Sequence, residues 1–284
     1  MQNKHPSSRA RTSPTATRVA FIGAGNMASS LVLGLIQEGW PASSILAADP
    51  VPEQRERLAK HGIQVFDDNI RLAAEADNLL LAVKPQVMKS VLQGLSSHLT
   101  SNHLLISIAA GITLSSIQAW VGHPTSIVRC MPNTPALVGA GITALVENER
   151  VDSRQHKTAE TILSAVGSIL WVPSEADLDA VTAVSGSGPA YFFSLMENLQ
   201  QVAEQLGLAP ETARTLVLET AYGAALMARQ NDAPVSQLRQ NVTSPGGTTE
   251  AAMKVLERQR WGNILHQAVE AAADRSRQLA KELE

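Results

Sequence analysis

Residues 18–28 read RVAFIGAGNMA, and the parsing of that stretch decides the fold. Arg18 to Ile22 is a short apolar run, Gly23, Ala24 and Gly25 interrupt it, and Leu31, Leu35 and Ile36 then recur at helical spacing until Gly39 stops them. The stretch predicts a strand, a tight turn and a helix. A second strand follows at Ile45 to Ala48, ending at Asp49 and Pro50, and a polar helix spans Pro52 to Lys60 before His61 and Gly62 close it. Further apolar runs at 63–66, 79–83, 104–108 and 126–128 alternate with helical stretches. Such alternation predicts a parallel, doubly wound α/β sheet, whose strands are buried on both faces and therefore read as continuous apolar runs.

Downstream, Arg154 to Val166 reads as a helix and Ile169 to Val172 as a strand at the edge of that sheet. Beyond Pro173 no strand pattern recurs. Helices are expected over 176–183, 189–206, 210–229 and 250–283, with Ser187, Gly188 and Pro189 opening the first long one, Gly207 ending it and Pro210 in the first turn of the next. We therefore expect a Rossmann-type domain over 18–172 and an all-helical domain over 173–284. The stretch 210–229 is apolar or small almost all the way round (Ala213, Leu216, Val217, Leu218, Ala221, Gly223, Ala224, Ala225, Leu226), the pattern of a helix covered on several sides. That predicts a subunit interface, the alternative being the central helix of a monomeric bundle.

Composition narrows the function. The 284 residues are 44% hydrophobic and 17% charged, with net charge −3 and a single Cys, Cys130. One Cys excludes an intrachain disulfide, and buried apolar packing explains it better than a nucleophilic role. No segment joins Lys or Arg to aromatics as a nucleic-acid surface would, and no apolar run reaches the length of a membrane span. The expected partner is a small molecule, with neither nucleic acid nor membrane, in the cytoplasm. Residues 1–17 (MQNKHPSSRARTSPTAT) lack the apolar core of a secretory signal and read as a disordered extension; their lack of acids leaves a transit peptide as the alternative.

Gly23, Gly25 and Ala28 fit the permissive dinucleotide fingerprint. The first Gly makes the turn, the second admits the pyrophosphate, and a small third residue lets helix pack on strand. Asp49, 26 residues after Gly23, can accept from ribose hydroxyls, which favours NADH, whereas Arg55 and Arg57 could neutralise a 2′-phosphate and favour NADPH. A purely structural Asp supporting its turn is the third reading. Lys84 and the run Ala109, Ala110, Gly111 end their strands at the carboxyl edge, where ligands of open α/β sheets bind.

The residues that reduce ketones are missing. Neither Tyr191 nor Tyr222 is followed four residues later by Lys, the seven His sit mostly in polar helix or turn contexts, and the scattered Cys and His have no metal-ligand spacing. A C=N bond removes the requirement for a strong acid, because its nitrogen can be protonated before hydride arrives. A candidate for holding such a substrate is the stretch 241–249, NVTSPGGTT, which leads into the last helix at Glu250. Two glycines and two threonines at a helix start supply backbone N–H groups and hydroxyls suited to a carboxylate. An ordinary cap explains one Thr but not the Ser-Pro-Gly-Gly before it.

These motifs together resemble the pyrroline-5-carboxylate reductase family. The resemblance runs from Arg18 onward and rests on Phe21 to Met27, Ala82 to Pro85, Ser107 to Gly111, Arg129 to Pro135, Ala183 to Tyr191 and Val242 to Glu250. It implies NAD(P)H-dependent reduction of 1-pyrroline-5-carboxylate to L-proline, the last step of proline biosynthesis. It also implies a Rossmann domain, a helical C-terminal dimerisation domain and a homodimer or larger homo-oligomer whose site is completed across the dimer. Carried over by position, the family implies cofactor contacts at Ile22, Gly23, Ala24, Gly25, Asn26, Met27, Asp49, Asn69, Val83, Lys84, Ala110 and Asn241. Substrate contacts are implied at Val242, Ser244, Gly246, Gly247, Thr248 and Thr249, with the Thr249 hydroxyl on the ring nitrogen as the catalytic contact. Asp49 stands where members often carry Ser or Thr, which leans this chain toward NADH. The alternatives are another imine or hydroxyacid reductase of the same architecture and a dinucleotide-binding redox sensor without turnover, which would have no use for the 241–249 loop.

Overall fold

The computed structural model describes residues 17–283; the expected N-terminal extension lies outside them, apart from Thr17. By contacts the chain divides into two units. One reaches Gly186 and takes in the C-terminal residues from Ser276; the other is Ser187–Arg275. The boundary expected at 172/173 thus falls at 186/187, and the last turns of the chain belong to the first unit.

The first unit is built on an eight-stranded sheet, β1 (Val19–Ile22), β2 (Ile45–Ala48), β3 (Gln64–Phe66), β4 (Asn78–Leu81), β5 (Leu104–Ser107), β6 (Ser126–Met131), β7 (Gly141–Glu147) and β8 (Gly167–Trp171), in the order β3-β2-β1-β4-β5-β6-β7-β8. Strands β1 to β3 are added toward one edge and β4 onward toward the other, which makes the gap between β1 and β4 the topological switch point. Strands β1, β2, β4 and β5 are all parallel, with Phe21 level with Ala47 on one side and Leu80 on the other.

Burial on both faces explains the continuous apolar runs. Val19 and Phe21 point into one core with Leu31 and Leu35 of α1 (Asn26–Gln37), Leu58 of α2 (Pro52–Ala59) and Ile162 of α6 (Ser153–Leu163). Ala20 and Ile22 point into the other, with Leu72 of α3 (Asn69–Ala73), Met88 and Leu92 of α4 (Pro85–Leu95) and Trp120 of α5 (Leu114–Val121). A side-chain period of two across one strand thus feeds both helical layers.

Two sheet expectations need correction. The stretch 141–147 was not read as a strand, yet it forms β7, and β7 runs antiparallel to β6, with Cys130 opposite Leu145. The sheet is therefore mostly parallel. β8 then pairs in parallel with β7 at the edge.

Cys130 lies at the centre of this pairing, 1% exposed, and burial pushes its thiol far above the ordinary range, with Arg129 pulling weakly the other way. Reactivity requires the thiolate. An aromatic disulfide reagent is expected to titrate no thiol in the folded protein and one in denaturant; rapid reaction of the native chain would contradict this packing.

After α7 (Asp177–Val181), a π-helical turn at Thr182–Gly186 ends the first unit. The second unit contains α8 (Gly188–Gln205), α9 (Pro210–Gln230), α10 (Val235–Asn241) and α11 (Thr248–Arg258), with α12 (Trp261–Leu283) starting in it and ending in the first unit. α10 had no sequence signal strong enough to register. The single helix expected over 250–283 is instead two: α11 starts at Thr248, and the chain breaks at Arg260, whose φ of 54° puts a non-glycine residue in the left-handed region. The left-handed position itself carries Arg, and Gly262 falls just inside α12 and not at the turn, so the sequence marks the break only weakly.

On α9 only Ala213 and Val217 are buried, while Leu216, Tyr222 and Met227 are more than half exposed. Phe192 and Phe193 of α8 are exposed to 64% and 63%. Apolar surface on this scale in a single chain is that of a helical pair awaiting a partner.

Candidate functional site

The Gly23 loop leaves β1 at the switch point. Gly23 has φ 96°, and a Cβ on it would lie 2.8 Å from the Ala82 carbonyl oxygen, so both conformation and space demand glycine. Its N–H donates to the Ala48 carbonyl (2.8 Å), while Ala82 N–H donates to the Ile22 carbonyl (2.8 Å), which extends the ladder on both sides into the turn. Gly25 is different: a Cβ there would meet nothing within 4 Å. It caps α1, and that terminus has neither a side-chain cap nor an acidic residue in its first turn. The first intrahelical bond is Ser29 N–H to the Gly25 carbonyl (2.9 Å), so the amides of Asn26, Met27 and Ala28 have no acceptor within the helix. Open space above a glycine, uncapped amides and the positive end of a helix dipole fit a pyrophosphate.

Asp49, at the end of β2, braces this loop. Its Oδ2 accepts from Ala24 N–H (2.8 Å) and its Oδ1 from Val51 N–H (2.9 Å). The turn-supporting reading of Asp49 is therefore realised, and each oxygen keeps a second acceptor position for a ribose hydroxyl. Both arginines weighed as phosphate partners are engaged in the fold. Arg57 Nη2 donates to the Ala24 carbonyl (2.7 Å), Ser29 Oγ (2.8 Å) and Gln54 Oε1 (2.6 Å), and Arg55 Nη1 donates to the Asp49 carbonyl (2.6 Å).

The remaining residues of this unit expected on the cofactor side share that edge. Asn69 starts α3 just after β3, behind Asp68, whose Oδ1 accepts from Ile70 N–H (2.8 Å). Val83 and Lys84 follow β4, with Lys84 exposed at the start of α4, and Ala110 is exposed after β5. Ile22 to Met27, Asp49, Asn69, Val83, Lys84 and Ala110 thus stand at the carboxyl ends of neighbouring strands.

Asn241 and the stretch 242–249 lie in the second unit. Asn241 ends α10, its Oδ1 accepting from Gln237 Nε2 (2.9 Å), and Val242 is exposed beyond it. Thr243 Oγ1 donates to the Arg239 carbonyl (2.7 Å), so this hydroxyl serves the helix end. The glycines do not supply free amides as the sequence led us to expect. Gly246 N–H donates to Glu250 Oε2 (2.7 Å) and Gly247 N–H to the Ser244 carbonyl (3.0 Å). The unsatisfied amides are those of Thr248, Thr249 and Glu250 in the first turn of α11, and no side chain caps that turn. Thr249 is half-buried and Ser244 and Thr248 are exposed.

Glu250 organises this loop. The Lys254 ammonium (3.0 Å), and then the Gly246 N–H, hold its carboxyl below the ordinary range. A depressed folded pKa gives a contribution that is complete above the unfolded value and disappears as pH falls through the folded one. The difference in Tm between the wild type and Glu250→Gln is therefore expected to be positive at neutral pH and to shrink as pH falls below the ordinary Glu value of about 4.3. A difference that grew on acidification would contradict this bonding.

Sequence reading missed Arg129 and Glu175. The signal was available: Arg129 interrupts the apolar strand β6, and a charge buried there needs a partner. Its Nη1 lies 2.7 Å from Glu175 Oε1, with the two side chains 8% and 29% exposed.

This arrangement defines a nicotinamide-dependent oxidoreductase with a helical domain for self-association. Comparison with known proteins agrees: residues 18–111 match the family model for NADP oxidoreductase, coenzyme F420-dependent, and residues 175–279 the model for pyrroline-5-carboxylate reductase dimerisation. The chain is 50% identical over 267 residues to the pyrroline-5-carboxylate reductase of Pseudomonas aeruginosa, covering 94% of this chain and 98% of that one. Among solved structures, the enzyme of Coxiella burnetii superposes with a TM-score of 0.89 at 45% identity, covering 93% of this chain and 98% of that one. That of Plasmodium falciparum, solved with NADP bound, gives 0.84 at 33% identity over the same shares. The chain belongs to the pyrroline-5-carboxylate reductase family. Among the described residues no helix is long and apolar enough to cross a membrane.

Proposed function

We propose that the protein reduces the C=N bond of 1-pyrroline-5-carboxylate to L-proline with NADH or NADPH, as a homodimer or larger assembly formed through its C-terminal helices. The observation that carries this is the coincidence of a whole-length likeness to enzymes of that name with two open helix termini, at Gly25 and at Gly247, each suited to one anionic partner. When bound, the reduced nicotinamide supplies a hydride to C5 of the ring.

The chain's own residues hold the two reactants. The Gly23 loop and the first turn of α1 take the pyrophosphate, and Asp49 accepts from the adenosine ribose. At the other site the first-turn amides of α11, with Ser244 and Thr248, hold the substrate carboxylate, and the Thr249 hydroxyl hydrogen-bonds the ring nitrogen. Ring closure has already formed the imine, so positioning is the main task left to the protein.

The test is turnover of pyrroline-5-carboxylate with each cofactor. Because the Asp49 side chain stands at the end of β2 with acceptor capacity left for a ribose hydroxyl, while Arg55 Nη1 and Arg57 Nη2 are bonded within the fold, NADH is expected to support a kcat/KM at least comparable to NADPH. A strong preference for NADPH would overturn that assignment of Asp49.

A further inference from the structure

A dinucleotide whose adenosine end faces Asp49 after β2 and whose pyrophosphate faces the Gly23 loop after β1 has its nicotinamide end over β4 and β5. The loop after β5 therefore sets one wall of the reacting end. It has little side chain with which to hold itself: Ala109 is buried, Ala110 exposed, and Gly111 has φ 77°.

Two contacts from distant parts of the sequence fix it. At its far end Leu114 N–H donates to Glu175 Oε1 at 2.7 Å, the same oxygen that pairs with Arg129. In its middle, Gly111 lies against the last turns of α12. A Cβ on Gly111 would come within 3.0 Å of Leu283 Cδ1 and 3.5 Å of Leu279 Cβ. Leu283 packs on the core layer that contains Ala109 and Ile112. These turns are moored in their own right, because Ser276, 5% exposed, donates from Oγ to Asp179 Oδ1 at 2.6 Å. Glu175 and Asp179 both belong to the segment around α7, so one short segment anchors both supports.

We propose that Leu279 and Leu283, moored through Ser276, together with Glu175, are positioning residues that fix the β5 loop against the nicotinamide half of the cofactor. The proposal rests on the reading above that Ala110 faces the cofactor. It gives the end of the chain a role in placing the reacting ring, although no cofactor fingerprint lies there.

The test compares NADH with ADP-ribose, which lacks the nicotinamide, by titration calorimetry on the full chain. Leu283→Ala is expected to weaken NADH about five- to tenfold while leaving ADP-ribose binding unchanged, and Leu283→Met, which restores volume, is expected to recover NADH affinity. Glu175→Gln, which keeps size but removes the charge facing Arg129, is expected to show the same split, so failure of Leu283→Ala to fold does not end the test. Equal weakening of both ligands, or no change in either, would overturn the proposal. Wild-type protein that binds neither ligand would overturn the cofactor reading itself, a result distinct from any seen among the variants.

Discussion

Gly23→Ala is expected to lower stability by about 2–5 kcal/mol and to abolish cofactor binding. The left-handed conformation at 96° costs a side-chain residue about 1–2 kcal/mol, and the overlap of the new Cβ with the Ala82 carbonyl adds about 1–3 kcal/mol. Against a total of about 5–15 kcal/mol for a folded domain this is a large share. The turn can relieve the overlap only by moving away from β4, which also misplaces the α1 terminus. Gly25→Ala supplies the contrast. Nothing lies within 4 Å of its Cβ and its φ is −68°, so the fold tolerates the methyl group. The methyl group then occupies the space assigned to the pyrophosphate, and NADH affinity should fall at least about tenfold with Tm unchanged. Chemical denaturation and calorimetric binding of both variants check this. Unaltered stability of Gly23→Ala, or unaltered binding by Gly25→Ala, would contradict the loop's assigned role.

The second large effect is at Thr249. Thr249→Ala is expected to reduce kcat/KM for the pyrroline about 100-fold, about 2.7 kcal/mol of transition-state stabilisation, with cofactor affinity unchanged. Its neighbours show why the loss falls on this hydroxyl. Thr243 is spent on the Arg239 carbonyl, the Gly246 and Gly247 amides are bonded within the loop, and Thr249 is half-buried in a first turn whose amides have no acceptor within the helix. Thr249→Ser keeps the hydroxyl and should retain most activity. Steady-state kinetics on the two variants settles the point: equal loss in both would assign Thr249 a packing role, and no loss in either would remove it from the site.

Much of this was legible in residues 18–28 and 241–249, because each carries a local physical demand. A glycine at positive φ, small residues at a helix start and strands buried on both faces leave marks that survive in sequence. What stayed hidden depends on distant partners. β7 was overlooked because an antiparallel return breaks the strand-helix alternation that organised the rest, although Ile142, Leu145 and Val146 are ordinary strand residues. The break at Arg260 puts a non-glycine residue at the left-handed position, with the nearest glycine, Gly262, already inside the next helix. The inward turn of the Gly246 amide depends on Glu250, which in sequence reads as an ordinary first-turn acid, and the Arg129 partner lies 46 residues away. Asp49 is the intermediate case: its position at the end of β2 was readable, but its bonds to the Ala24 and Val51 amides were not, since either a ribose or a turn satisfies the same carboxylate.

The most direct measurement follows the transferred atom. With NADH deuterated at C4 on the transferring face and 1-pyrroline-5-carboxylate as substrate, the purified chain should produce L-proline carrying one deuterium at C5, in equal amount to the cofactor oxidised. Cofactor that binds without oxidation, or is oxidised while no deuterium reaches C5, would contradict the assignment of this chain as a reductase of that ring.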